Sequence, residues 1–304
     1  MYAPWRVCRM NTNVAIHHFV IKFPAEEHGL FHRLPSPMEC NNGVFMIFDL
    51  HTHCLERSRC SRISEQQLIE EAIASGMDGL VISDHHRYVD PAHLKELQAQ
   101  YAPFLIFSGI EMTIPRYGNF EGEDILLIGV HDPAFEDASR SWTYEELYAA
   151  AKEQAGFLTL CHPYRYHDAV TIDYERMKPD AVELHSSNIG RCDEALVSSL
   201  IQKIGCHTVQ NSDTHHPNMV GMYHQVLHNP VSSEAELIRE LKAGNFSYGC
   251  FPHKIEAFNN KVAAREETAR KLIVQGCTAQ EYTKATGLWS GYYERVKMGK
   301  SYLC

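Results

Sequence analysis

Histidines and carboxylates recur in this chain at one kind of place, directly behind short apolar runs. His51 and His53 follow "FMIFDL", Asp84, His85 and His86 follow "GLVIS", and Glu111 ends "FLIFSGIE". His131 follows "DILLIGV", His162 follows "FLTLC", Glu183 and His185 end "AVELH", and Asp213 and His215 follow "HTVQN". Imidazole and carboxylate without clustered thiolate form the donor set of Zn²⁺, Mn²⁺ or Fe²⁺, and a carboxylate such as Glu111 can bridge two ions. Taken singly the pieces are ordinary: an H-x-H is most often a polar strand end, and Asp84 or Asp213 could simply cap a helix. Their repetition at successive run ends carries the argument. So many candidate ligands exceed what one closed structural site uses, which points to two or three ions with open positions.

Something must bring residues so distant in sequence together. The apolar runs are short and rich in β-formers, so they read as strands, and alternation puts His51 and His53 on one face. Between them "SEQQLIEEAIASG", "PAHLKELQAQY", "TYEELYAAAKEQ" and "RCDEALVSSLIQKIG" carry helical periodicity, and "SEAELIRELKAG" follows the last strand. Capping boxes are expected at Ser64 with Gln67, Thr143 with Glu146 and Ser233 with Glu236, with helix ends at Gly76 and Gly244. Repeated β-then-α units imply a parallel sheet closed, or nearly closed, into a barrel whose strand C-terminal ends share one mouth. Residues 1–45 lack this rhythm and read as an extension, dispensable or a cover for apolar surface, ahead of a domain start at Met46. The barrel spans residues 46–254, and residues 255–304 form a basic helical tail. From Lys261 onward that tail carries eight Lys/Arg against four Glu, with Gly276 and Gly287 as breaks between helices.

With 304 residues, 44% apolar and 22% charged, the chain has the composition of a globular protein able to bury a full core. Its formal net charge of −10 argues against broad binding of duplex nucleic acid. No apolar run approaches the ~20 residues that span a bilayer, so no membrane partner is expected. The ten cysteines form no CxxC pair and no signal-peptide pattern opens the chain, which makes a reducing cytoplasm the expected location.

The motifs "DLHTH", "ISDHH", "GIE", "CHPYR" and "NSDTHHP", in that order, resemble those of the PHP (polymerase and histidinol phosphatase) superfamily. The resemblance covers about residues 46–250 and implies an α/β fold, a distorted (β/α)7 barrel of metal-dependent phosphoesterases. It implies a first metal on His51, His53, Glu111 and Asp213, a second shared by Glu111 with His162, and a third on His85 and His215. Two slots depart from the pattern. Where relatives place a further third-metal ligand, "CLERSRCS" offers Glu56 or Cys60, and the histidine expected between Glu111 and "CHP" is His131 or absent. Asp84, Glu183 and His185 are further candidates as ligands or ligand supports, and His86 and His216 double adjacent ligands. The amidohydrolase barrel also begins with H-x-H, but its two-metal members commonly use a strand-end lysine where this chain has Glu111.

Metals of this kind imply attack of a metal-held hydroxide on a phosphate ester, with Asp213 or His215 carrying a proton to the leaving oxygen. Arg165, three residues after His162, could hold a second phosphate group bidentately; Arg116 and Arg87 are further candidates, and Tyr164 and Tyr117 could stack on a ring. The leading expectation is a phosphatase for a small phosphorylated metabolite or nucleotide. The alternatives are an exonuclease that uses the basic tail to hold a strand, and a non-enzymatic regulator whose tail reads DNA. Packing is the plainer expectation for the tail, across the barrel bottom or against a second chain, anchored by Trp289, Tyr292, Tyr293 and Tyr302.

Overall fold

The computed structural model describes residues 45–116 and 119–304. The expected extension therefore lies outside the described residues except for Phe45, as do Tyr117 and the Arg116 side chain. The apolar runs form β1 (Met46–Thr52), β2 (Gly79–Ile82), β3 (Leu105–Arg116), β4 (Asn119–Ile128), β5 (Phe157–Cys161), β6 (Ala181–His185) and β7 (His207–Gln210). The periodic segments form α1 (Glu65–Ala74), α2 (Pro91–Tyr101), α3 (Tyr144–Glu153) and α4 (Glu194–Ile204). Of the expected capping boxes only that of Thr143 and Glu146 is reciprocal. At α1 the Ser64 hydroxyl accepts from the Gln67 amide, but the Gln67 side chain turns to Glu71. Two strands were not foreseen: β8 (Tyr223–Leu227) and β9 (Phe246–Cys250), which flank α5 (Glu234–Ala243). Ser233 caps α5, while Glu236 binds the Ser232 amide instead of closing a box. The tail forms α6 (Pro252–Val274), α7 (Ala279–Thr286) and α8 (Gly291–Lys297).

The strands make one nine-stranded sheet in the order β7-β6-β5-β4-β3-β2-β1-β8-β9. The parallel expectation holds for β1 with β2, β2 with β3, β5 with β6 and β6 with β7. It fails at β4, which runs antiparallel to both β3 and β5, and at β8, antiparallel to β1 and β9. The result is a distorted, nearly closed barrel. Its seam lies between β7 and the β8–β9 pair. There the Gln225 side chain bonds the Gln210 carbonyl, and the Gln210 side-chain amide donates to the Gly249 carbonyl at 2.9 Å. At the mouth the chain beyond β7 meets β1 directly through a parallel bridge between Thr52 and Thr214.

One apolar cluster takes residues from β1 through β8 and therefore fills the barrel interior: Phe48, Leu50, Val81, Phe107, Leu126, Phe157, Ala181, Val209 and Leu227 belong to it. Leu237 and Leu241 of α5 join this cluster and plug one end. Separate layers pack α1 and α2 on one flank and α3 and α4 on the other. Because Phe48 and Leu50 face inward, strict alternation would send His51 outward; a register shift between Asp49 and Thr52 turns it back into the barrel. No helix among the described residues is long and apolar enough to cross a membrane.

Candidate metal centre

At the barrel mouth the predicted ligands converge. Glu111 sits at the middle of the group, fully buried. Its Oε1 lies 3.3 Å from His51 Nε2 and 3.2 Å from His162 Nε2; its Oε2 lies 3.3 Å from His53 Nε2 and 2.8 Å from His85 Nδ1. Asp213 Oδ1 completes the cluster at 3.2 Å from His53 Nε2, 3.5 Å from His51 Nε2 and 3.3 Å from His215 Nδ1. The His53 ring lies 4.4 Å from those of both His85 and His215. Asp213 and His162 adopt left-handed backbone, at φ 49° and 21°, which residues with a Cβ rarely hold outside functional sites.

Whether such a group suits metals is decided by its leftover donors. His51 Nε2, His53 Nε2, Glu111 Oε2 and Asp213 Oδ1 are buried and lack a hydrogen bond, a costly state for polar atoms unless something else binds them. All four face one another, and three overlapping sets (His51, His53, Asp213; His51, Glu111, His162; His53, His85, His215) keep their ligand atoms within 4.8 Å. The residues fit the divalent ions that the sequence pattern implies.

Electrostatics agree. At Glu111 and Asp213 burial opposes the charged form, yet the surrounding histidines hold both carboxyls well below their ordinary range. At His51 burial is overcome by Asp213 and Glu111, which keep the ring protonated well above its usual pKa, and Asp213 likewise lifts His215 to about 9. A protonated ring cannot ligate. Metal uptake at neutral pH should therefore release protons, and affinity should climb as pH rises and these rings are freed, for His215 through about 9. Calorimetric Mn²⁺ titrations in buffers of different ionisation enthalpy will read the released protons directly; uptake with no proton release contradicts this protonation pattern.

The remaining candidates divide between support and distance. Glu183 is support: Oε1 accepts from His51 Nδ1 at 2.9 Å and from the Asn211 amide at 2.9 Å, and Oε2 accepts from the His162 backbone at 2.8 Å. With both oxygens used, it orients two ligands at once. Glu183→Gln should weaken metal binding roughly 10–100-fold while leaving the fold intact, measured by competition with a chelator. Asp84 is also fully engaged, with the Cys54 amide at 2.8 Å, the Ser58 hydroxyl at 2.6 Å and Arg57 Nε at 2.8 Å. It fastens the loop after β1.

Three expectations need correction. His131 is not at the mouth: β4 is antiparallel, so its C-terminal end points to the other end of the barrel, where His131 pairs with Glu234 at 2.8 Å. His185 is carried away by the register shift between it and Glu183, and its ring stacks on Tyr223. Glu56 instead caps α1, its carboxylate accepting from the Glu65 amide at 2.9 Å. The other residue weighed for that slot, Cys60, does line the mouth beside His85 and His215; burial raises its thiol, but those two rings outweigh it and bring it down to about 6. Arg87 is exposed and does not border the cleft, whereas Arg165 does.

The same reversal of β4 explains a residue that sequence reasoning missed. Asp124, midway along β4, lies at the mouth because that strand runs backwards and sets it opposite Cys161, the last residue of β5. It is buried, bonded to Thr113 Oγ1 at 2.6 Å and 3.8 Å from His162 Nδ1. The tail was also misplaced. It packs through Phe258, Val262 and Tyr302 onto Met219, Met222 and Tyr223, beside the mouth and not across the bottom. There α6 and the segments around α8 supply one wall of a cleft of about 570 Å³, including Lys261, Arg265, Trp289 and Tyr292, opposite His85 and His215. His216 lies in this cleft, its ring held down to about 4 by burial first and then by Arg265, His215, Lys261 and Arg62.

No curated protein matches the chain. A family model described as PHP-associated matches residues 195–246. Among solved structures, a two-domain protein of Bacteroides vulgatus containing a predicted PHP-like metal-dependent phosphoesterase superposes with a TM-score of 0.54 at 14% identity, over 73% of this chain and 70% of that one. PsfC of Pseudomonas syringae gives 0.49 at 15% identity, over 71% and 97% of the two chains. A lesion-specific endonuclease of Pyrococcus furiosus gives 0.48 at 17%, over 67% and 58%. At such identities the first of these likenesses establishes the fold. Fold, the PHP-associated match over residues 195–246 and the ordered motifs around one mouth are thus what the chain shares with PHP-like proteins.

Proposed function

We propose that the chain is a metal-dependent phosphoesterase that hydrolyses a phosphate monoester of a small metabolite or nucleotide. The observation that carries this reading is the convergence of four buried, unpartnered donor atoms on His51, His53, Glu111 and Asp213 beside a cleft bordered by cations. His51, His53, Glu111 and Asp213 would hold one ion, Glu111 and His162 a second, and His85 and His215 a third. Bound there, divalent ions supply Lewis acidity toward phosphoryl oxygens and lower the pKa of water from about 15.7 to about 7.

The chain's own groups have separable tasks. Glu183 fixes the tautomer and orientation of His51 through Nδ1. Arg165 places a guanidinium beside the centre, close enough to feel the charges of Asp213 and Asp124, and can hold phosphate oxygens in a fork. When the third site holds no ion, the His215 ring, kept protonated by Asp213 at 3.3 Å, is the group able to pass a proton to the leaving oxygen. A cleft of about 570 Å³ is of small-molecule size and supports a compact monoester over a polymer.

The test is Mn²⁺- or Zn²⁺-supported phosphate release from mononucleotides, sugar phosphates, amino-alcohol phosphates and 5′-phosphorylated oligonucleotides, with Asp213→Asn as control. Turnover of a monoester that disappears in the variant is expected. Nucleotide release from oligonucleotides without monoester turnover would replace the phosphatase by an exonuclease, and silence of the metal-loaded protein on every substrate would overturn the phosphoesterase reading.

A further inference from the structure

Four cations border the cleft in a chain whose formal net charge is −10. Arg62 and Arg165 come from barrel loops, Lys261 and Arg265 from α6. Among the described residues none of the four forms an ion pair within 4.0 Å. The outer part of the same helix behaves differently: Arg270 pairs with Glu266 at 3.2 Å and Lys271 with Glu267 at 3.5 Å. The absence of partners is thus local to the stretch of α6 that faces the cleft.

What these cations do touch aims them without neutralising them. Arg265 Nη1 donates to the Tyr292 hydroxyl at 2.7 Å. Arg62 Nη1 donates to the carbonyls of Arg59 and Ser61, each at 2.8 Å. The Arg165 guanidinium lies 5.0 Å from the ring centres of both Tyr166 and Trp289, and its Nε is buried without a hydrogen bond. Arg62, Lys261 and Arg265 line the same cleft together with His216. Gathered like charges repel, and the repulsion is relieved when an anion sits among them.

We propose that Lys261, Arg265 and Arg62 form a second anion subsite, so that the substrate carries another anionic group besides the phosphate presented to the metal centre. The proposal rests on the phosphoesterase reading only for the identity of the first group. Arg165, next to Asp213 and Asp124, serves that first phosphate; the wall built by the tail serves the second. The tail is then a specificity element, and removing its charge should alter which substrate binds more than how fast it reacts.

The experiment uses the full chain and two probe series, alkanediol bisphosphates of graded length and the matching alkyl monophosphates, with binding read by calorimetry under chelator. At least one bisphosphate should bind about tenfold tighter than its monophosphate, and K261Q/R265Q should reduce that preference to less than about twofold. K271Q/K284Q, an equal loss of charge on exposed outer positions, should keep it. Should K261Q/R265Q fold poorly by circular dichroism, K261Q alone, an exposed position, should still lose about threefold. No bisphosphate preference in the wild type, or one that survives K261Q/R265Q, overturns the subsite. Phosphate release with Mn²⁺, measured in parallel, separates the two readings: a binding preference without hydrolysis removes the phosphoesterase and keeps the subsite, and hydrolysis without preference does the reverse.

Discussion

Glu111→Gln should cost metal binding roughly 10²–10³-fold and turnover at least as much, the largest functional effect of any single substitution here. Each oxygen of this carboxylate faces two imidazoles, His51 and His162 on one side and His53 and His85 on the other. It is thus in reach of all the proposed ions, a position that only Asp213 among the other carboxylates of the centre approaches. Gln keeps the shape and removes the charge, and its amide presents hydrogens toward rings that must offer lone pairs. A supporting residue such as Glu183 sets the lower bound of about 10–100-fold, and loss of a direct and bridging ligand should exceed it. Metal content after dialysis, together with chelator competition, measures the effect. A variant that retains the wild-type number of ions at wild-type affinity would remove Glu111 from the centre.

The largest effect on stability should come from Arg295→Ala, at about 3–5 kcal/mol. Arg295 of α8 is 1% exposed and pairs with Asp193, itself 1% exposed. It also donates from Nε to the Ser301 carbonyl at 3.1 Å and from Nη1 to the Arg165 carbonyl at 3.2 Å. Truncation leaves Asp193 buried with only Lys300, at 3.3 Å, to answer its charge. Denaturant unfolding should show the loss, and Arg295→Ala with Asp193→Ala should recover part of it, because the uncompensated charge goes with the second substitution. A change below about 1 kcal/mol would mean that the pair is open to water. The bond to the Arg165 carbonyl adds a functional arm: loosening that loop should raise KM more than it lowers kcat.

The ring of candidate ligands was legible because parallel strands deliver their C-terminal residues to one mouth, so position in the chain stood in for position in space. His51, His53, His85, Glu111, His162, Asp213 and His215 all meet there. Direction was the hidden variable. An apolar run such as "DILLIGV" is the same whether its strand runs up or down, so His131 was credited to the mouth and Asp124 overlooked. β8 and β9 escaped notice for another reason: "YHQVL" and "FSYGC" mix polar residues into short strands near the seam, where their partners are side chains as well as backbone. The tail showed its basic, amphipathic character plainly. Which surface it covers depends on Met219, Met222 and Tyr223, contacts that no periodicity in the tail itself encodes.

The seam gives the centre a mechanical role. Between β7 and its neighbours across the gap the barrel is held by the side chains of Gln210, Gln225 and Tyr248, not by a continuous backbone ladder, so this is where opening costs least. His51 and His53 stand on one side of that line and Asp213 and His215 on the other, joined by the Thr52–Thr214 bridge. Ligands that straddle a seam would act as a rivet: an ion shared by both sides would fasten the barrel as well as serve the proposed reaction. Hydrogen exchange across residues 207–215 would then report occupancy of the centre as faithfully as any assay of turnover.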